Sequence, residues 1–174
     1  MTLHSEFETL LHSYQQPITA YLCQLLGDEE RGQELAQETF LRAYRALARG
    51  QKVDHPKAWL YRIATNAAKD EFRRARLIKW LPFQTVEHEP ALQVPDAADC
   101  VADQLLVRAA LAKLSPDYRV PLLLHLGEGL SINEIAEVLN LSQGAVKMRL
   151  SRARQQFRRA LSDGTDLATE DEDR

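Results

Sequence analysis

The stretch from Leu130 to Leu161, LSINEIAEVLNLSQGAVKMRLSRARQQFRRAL, leaves the chain few options besides two helices joined by a tight turn. Ser131 and Glu134 have the S-x-x-E spacing of a capping box, so a helix is expected to begin there. Ile135, Ala136 and Leu139 follow as an inward stripe at helical spacing. Asn140 and Leu141 form the turn, and the Ser142 hydroxyl is placed to cap the second helix. Val146 and Leu150 pack that helix on the first. Its open face carries Lys147, Arg149, Arg152, Arg154, Arg158 and Arg159, with no acidic residue between Ser142 and Leu161. A basic face alone describes many solvated helices. Joined to the cap and the turn at this spacing, it describes a helix-turn-helix whose second helix fits the DNA major groove, which is about 12 Å wide.

The net charge of −3 argues against a simple nucleic-acid binder, but the average conceals a segregation. Between 42 and 79, cations from Arg42 to Lys79 face only Asp54, Asp70 and Glu71. From Glu87 to Asp103 there are acids and no Lys or Arg. After Leu161, Asp163, Asp166, Glu170, Asp171, Glu172 and Asp173 oppose a single Arg174. The 2 cysteines, Cys23 and Cys100, have no Cys or His at ligand spacing, so neither a disulfide framework nor a zinc site is expected; Cys23 reads as a small core residue. The 5 histidines are scattered, and no P-loop, G-x-S-x-G or G-x-G-x-x-G is present. No catalytic constellation is visible, so the chain is not expected to be an enzyme, and no metal or cofactor is expected. With no signal peptide and no apolar run of the ~18 residues a membrane span needs, it is expected to be cytoplasmic without membrane insertion.

Helical periodicity covers the rest, and no strand alternation is found. The fold class expected is all-α, two small helical domains joined by a flexible linker, the C-terminal one holding the helix-turn-helix. A first helix runs from Glu6 to Leu26, with Pro17 expected to kink or split it. Glu29 to Ala48 forms a second, acidic at its start and basic at its end. Gly50 to Pro56 is a loop, and a third helix runs from Pro56 to about Arg76. The boundaries expected are 1–76 for the first domain, 77–100 for an acidic, proline-containing linker, 101–161 for the second domain and 162–174 for an acidic, disordered tail. In the second domain a helix reaches Leu114. Ser115 caps the next with Pro116 in its first turn, and that helix spans Asp117 to Leu126. The third helix interleaves Lys and Arg with Trp59 and Tyr61, as a single-stranded nucleic-acid surface would; Trp59, in phase with Leu60 and Ile63, reads better as packing.

Three segments, QETFLRAYRAL, PKAWLYRIATNAAKDEFRR and LSPDYRVPLLLHLGEGLSINEIAEVLNLSQGAVKMRLSRAR, occur in one order and are the most specific parts of a likeness that runs from roughly Glu6 to Leu161. By them the chain resembles bacterial RNA polymerase sigma factors of the extracytoplasmic-function group in the sigma-70 family. The resemblance implies a factor that binds core RNA polymerase and directs promoter-specific transcription initiation through −10 and −35 elements. Residues 1–76 then correspond to sigma region 2 and 101–161 to region 4. Glu34, Gln37, Glu38, Phe40, Leu41 and Arg45 become candidates for docking on the β′ clamp, with the β flap as a second contact. Lys52, Lys57, Arg62, Lys69, Arg73 and Arg74 become −10 phosphate contacts, and Asn66 falls where the family meets a flipped base, which an amide can both donate to and accept from. Ser142, Lys147, Met148, Arg149, Ser151, Arg152 and Arg154 are the −35 candidates, with Arg154 and Arg158 leaning toward backbone contacts. An anti-sigma factor is an implied partner.

Asn140 stands where the family commonly has glycine, and it too tolerates left-handed backbone. The acidic tail reads first as a disordered solubilising end; the alternative is that the acidic segments compete with phosphates for the basic faces in the free protein. The competing reading is a conventional helix-turn-helix regulator that binds duplex DNA without polymerase, usually as a dimer; it has no use for the basic-aromatic third helix. A protein-binding adaptor leaves the cationic second helix unexplained.

Overall fold

In a computed structural model the chain is described for residues 3–78 and 98–171, with side chains for 3–75 and 103–163. All regular secondary structure among the described residues is helical: α1 Leu3–Leu26, α2 Glu29–Ala48, α3 Pro56–Ile78, α4 Ala98–Ala112, α5 Pro116–Leu122, a π-helical turn Leu123–Gly127, α6 Ile132–Leu139 and α7 Gln143–Asp171.

The first three helices form one unit. Leu10, Ile18, Tyr21, Leu22 and Leu25 of α1 meet Leu35, Ala36, Phe40, Ala43 and Leu47 of α2 and Leu60, Ala64, Ala67 and Ala68 of α3 in a common core. Gly27, at φ +73°, turns the chain out of α1, and the Asp28 side chain caps α2 by accepting from the Arg31 N–H at 3.0 Å. α1 and α2 approach so closely at Gly32 that a Cβ there would lie 2.5 Å from the Cys23 sulfur and 2.7 Å from its backbone. The buried hydroxyls of this unit are satisfied: Thr39 donates to the Leu35 carbonyl at 2.8 Å, and the hydroxyls of Tyr21 and Thr65 lie 2.9 Å apart. Pro17 neither breaks α1 nor ends it. Pro17 has no N–H to give the Ser13 carbonyl, and Ser13 is an exposed residue, so losing that one helix bond is tolerated.

The second unit is built around α7. Leu111, Leu114, Val120, Leu122, Leu124, Leu130, Ile135, Val138, Leu139, Val146, Leu150 and Ala153 are its core. The helix expected from Asp117 to Leu126 is α5 followed by the π turn, closed by Glu128 N–H to the Leu123 carbonyl at 3.1 Å. Ser115 precedes α5 without a side-chain cap; its carbonyl accepts from the N–H groups of Tyr118 and Arg119 instead. α7 continues to Asp171, past the expected end at Leu161 and into the stretch read as a disordered tail. No proline interrupts Gln143–Asp171, and extending an existing helix needs no new nucleus. Leu77, Ile78 and Ala98–Cys100, placed in the linker by sequence, are helical; the linker's acidic stretch at 79–97 lies outside the described residues.

The two units are not held apart. α3 packs against α6, and α1 touches both α5 and the π turn. The Arg119 guanidinium joins them, donating to the Leu25 carbonyl of α1 at 2.8 Å and to the Ala112 and Leu114 carbonyls at 2.8 and 2.9 Å. A cation at the carbonyl ends of two helices is where the helix dipoles favour one.

Candidate nucleic-acid and polymerase interfaces

On α3 the sequence candidates form a surface. Arg62, Asn66, Lys69 and Arg73 succeed one another by four, three and four residues, so they share one face. Arg62, Asn66, Arg73 and the adjoining Arg74 are exposed, as is Lys52 in the preceding loop. The acids on this helix are engaged. Glu71 holds a two-pronged pair with Arg31 of α2, at 3.0 and 2.7 Å, and those bonds keep its carboxyl below the usual carboxylate range. Asp70 lies 3.5 Å from Arg73. Lys69 is partly buried, which lowers its pKa; the nearby Arg149 of α7 adds to this and Asp117 opposes it. Trp59 is buried, as packing required. Tyr61 is fully buried too, its ring edge-on to Tyr21 at 5.3 Å. Lys57 is turned from solvent toward the second unit, where its ammonium donates to the Glu128 carbonyl at 2.6 Å.

On α2, Glu34, Gln37, Glu38, Leu41 and Arg45 make one outward stripe. Leu41, 47% exposed, is an apolar residue held in solvent. Phe40 corrects the sequence assignment: at 6% exposure it belongs to the core, in phase with Ala36, Ala43 and Leu47. The resemblance placed it in the docking set, but its position on α2 points it at α1. Along one side of Phe40 a groove of about 760 Å³ separates α1 from α2, with Gln15, Gln37 and Arg108 on its rim.

The helix-turn-helix forms as the pattern requires. The Ser131 hydroxyl accepts from the Glu134 N–H at 3.3 Å while the Glu134 carboxylate accepts from the Ser131 N–H at 2.8 Å. The Ser131 hydroxyl and N–H together hold the Glu134 carboxyl below its ordinary range. Asn140 ends α6 in the left-handed conformation, φ 53° and ψ 53°. Ser142 accepts from the Ala145 N–H at 3.2 Å, capping α7, which occupies the hydroxyl that was also a DNA-contact candidate. Lys147, Ser151, Arg154 and Arg158 line a shallow recess of about 260 Å³ beside Ile132 at the start of α6. Arg154 therefore shares a face with Lys147 and Ser151. Met148 and Arg152 are exposed on the neighbouring face, and Arg149 is half-buried, 3.3 Å from Asp117. Sequence reasoning missed Arg119 and Glu128, which join the units; neither is in a periodic pattern that would have pointed to them.

Two surfaces built on consecutive helical units agree with two recognised regions. Residues 10–78 match the family described as Sigma-70 region 2, and residues 104–157 that described as Sigma-70, region 4. The ECF RNA polymerase sigma factor SigL of Mycobacterium tuberculosis is 32% identical over 144 residues, spanning 82% of this chain and 81% of its own. The chain belongs to the extracytoplasmic-function sigma factors of the sigma-70 family. As a sigma factor it directs promoter-specific transcription, and the unaided duplex-DNA regulator is not favoured. The RNA polymerase sigma-H factor of Pseudomonas aeruginosa is similarly close, 32% identical over 169 residues, with 89% and 86% covered. Among solved structures, the sigma factor RpoE of Bartonella quintana, in complex with the anti-sigma factor NepR, shares the fold at a TM-score of 0.77 and 24% identity over 90% of this chain and 97% of that one. CnrH, in complex with the cytosolic domain of CnrY, reaches 0.66 at 27% identity over 92% and 90%. Among the described residues no helix is long and apolar enough to cross a membrane, and no group of three or more His, Cys, Asp or Glu could hold a metal.

Proposed function

We propose that the two units divide promoter recognition between them and that α2 docks the chain on core polymerase. The α3 face of Arg62, Asn66, Lys69, Arg73 and Arg74, with Lys52 and Lys57 at its head, reads and melts the −10 element. Cations along one helix face hold the phosphates, while an amide in their midst offers a donor and an acceptor to an unstacked base. The α7 residues Lys147, Met148, Arg149, Ser151, Arg152 and Arg154 enter the major groove at the −35 element, with Ser142 at the helix start. Glu34, Gln37, Glu38, Leu41 and Arg45 meet the β′ clamp, Leu41 supplying the apolar contact, and the second unit reaches the β flap. Binding and positioning are the whole of this chemistry: the chain is a non-catalytic subunit without cofactor, working in the cytoplasm where polymerase and DNA are. The fold shared with RpoE of Bartonella quintana, solved with the anti-sigma factor NepR, supports such a partner here.

The observation that best supports the reading is the alignment of cations as one exposed stripe on α3 and another on α7, in a chain of this family. The test is a pull-down of the purified protein with bacterial core polymerase at moderate salt. A one-to-one complex is expected. Absence of a complex, together with sequence-specific binding of the free protein to duplex DNA, would overturn the reading.

A further inference from the structure

Glu128 lies between Gly127 and Gly129 in what the sequence presents as a plain loop. The structure gives it an uncommon setting. The π turn Leu123–Gly127 adds a residue to the last coil before it, and Gly129, at φ +67°, turns the chain immediately after. Both acceptor groups of Glu128 consequently face α3. Its carboxylate accepts from the Tyr61 hydroxyl, and its backbone carbonyl accepts from the Lys57 ammonium at 2.6 Å. Lys57 and Tyr61 are one helical turn apart at the head of α3, so one residue of the second unit engages two side chains of the first. A second pin lies across the interface, where Arg119 donates to the Leu25 carbonyl at 2.8 Å.

We propose that Glu128 is an internal latch: it holds the two units closed in the free chain and keeps Lys57 from nucleic acid until the units part. The masking half of this proposal rests on the assignment of α3 to the −10 element. The closed form is also too short for its task. Elements at −10 and −35 are about 25 base pairs apart, roughly 85 Å of duplex at about 3.4 Å per pair. A compact chain of this length has a radius of gyration of about 16 Å, hence a diameter of about 40 Å. One protein cannot place a unit on each element while α3 and α6 are in contact, so promoter engagement breaks these bonds. A third feature favours opening. Lys69 of α3 lies within electrostatic reach of Arg149 on α7, so closure brings cations of the two reading surfaces together with Asp117 as their counter-charge. Phosphates supplied to either surface compete directly with Glu128 and Asp117.

The latch is tested by charge reversal in the full chain. Glu128→Lys removes the acceptor for Tyr61 and sets an ammonium against Lys57. Glu128→Gln keeps both a side-chain and a backbone acceptor. X-ray scattering should give a radius of gyration near the compact value for the natural chain and for Glu128→Gln. It should rise by several ångströms in Glu128→Lys and return toward compact when Lys57→Glu is added to Glu128→Lys. Circular dichroism identifies any variant that has unfolded, and in that event the unchanged radius required of Glu128→Gln, with Tyr61→Phe expanding the chain, carries the test. The second readout is low-salt binding of the free chain to a labelled mixed-sequence single-stranded DNA. Glu128→Lys should bind about tenfold tighter, as expected when a competent form held at about a tenth of the population becomes dominant. Glu30→Lys, an exposed change of the same charge on α2, should gain far less. A natural chain already expanded, or a radius that charge reversal leaves unchanged, would overturn the latch. Expansion with no gain in DNA binding over Glu30→Lys would leave the latch standing and overturn the masking, and with it the assignment of Lys57 to nucleic acid.

Discussion

The two units meet one problem, presenting cations on a small helical body, in different ways. The first backs its reading helix with two long helices: α3 buries Leu60, Ala64 and Ala68 against α1 and α2 and turns Arg62, Asn66 and Arg73 outward. It spends three helices on rigidity, with the Arg31–Glu71 pair and the Tyr21–Thr65 hydrogen bond fastening them. The second unit has a short α5 and a short α6 leaning on α7, and α7 is at once core and reading surface: Val146, Leu150 and Ala153 face in while Lys147, Met148 and Arg152 face out. Its local order comes from caps and turns, the Ser131–Glu134 box and the left-handed Asn140 above all. The comparison teaches that packing should govern the first unit's stability, while side-chain chemistry on α7 can change with little loss of fold.

The largest expected effect tests the packing half. Gly32→Ala drives a methyl into the Cys23 backbone, which cannot yield as a side-chain tip would, and should cost about 3 kcal/mol. Urea unfolding measures the loss, and hydrogen exchange should place it in α1 and α2; a loss below about 1 kcal/mol would mean that the two helices separate easily. Next comes Arg152→Ala, exposed and outside the core. It should lower binding at a −35 element by about 2 kcal/mol with polymerase binding and melting temperature unchanged. A destabilised protein would show that α7 does not separate the two roles.

Glu71→Gln should destabilise the first unit by about 1 kcal/mol, the scale of a charge-assisted pair discounted for its partial exposure. The Arg31 bonds depress the folded-state pKa of Glu71, so its contribution is present above the unfolded value of about 4.3 and lost as pH falls through the lowered folded value. The difference in unfolding free energy between the natural chain and Glu71→Gln should therefore shrink below about pH 4; a difference independent of pH would contradict the ion pair. The smallest effect sharpens the second unit. Ser142→Gly should cost only a few tenths of a kcal/mol. A larger fall in −35 binding than in stability would show that the hydroxyl serves DNA as well as the cap.

Much of this was legible in the sequence, because the signals were local. Caps, turns and apolar stripes located α2, α3 and α6, and the asymmetry of charge exposed both basic faces. What escaped were relations between distant residues. Phe40 entered the docking set through the resemblance, and only the phase of α2 against α1 buries it. Gly32 carried no turn signal, since its smallness serves a neighbouring helix and not its own backbone. Glu128, flanked by glycines, read as loop; the π turn that aims it at α3 arises from hydrogen bonds that no side-chain pattern encodes. The tail's acidity suggested disorder, yet the backbone of α7 runs to Asp171 because the helix before it is already formed.

The central claim, two reading surfaces on one chain that address separate promoter elements, is tested most directly by site-specific photocrosslinking. A photoreactive residue is placed at Asn66 or at Arg152 in the protein bound to core polymerase on a promoter selected by that complex. The result expected is that position 66 crosslinks the non-template strand at the −10 element and position 152 crosslinks the −35 element, about 25 base pairs apart. Crosslinks from both positions to a single element, or from neither, would contradict it.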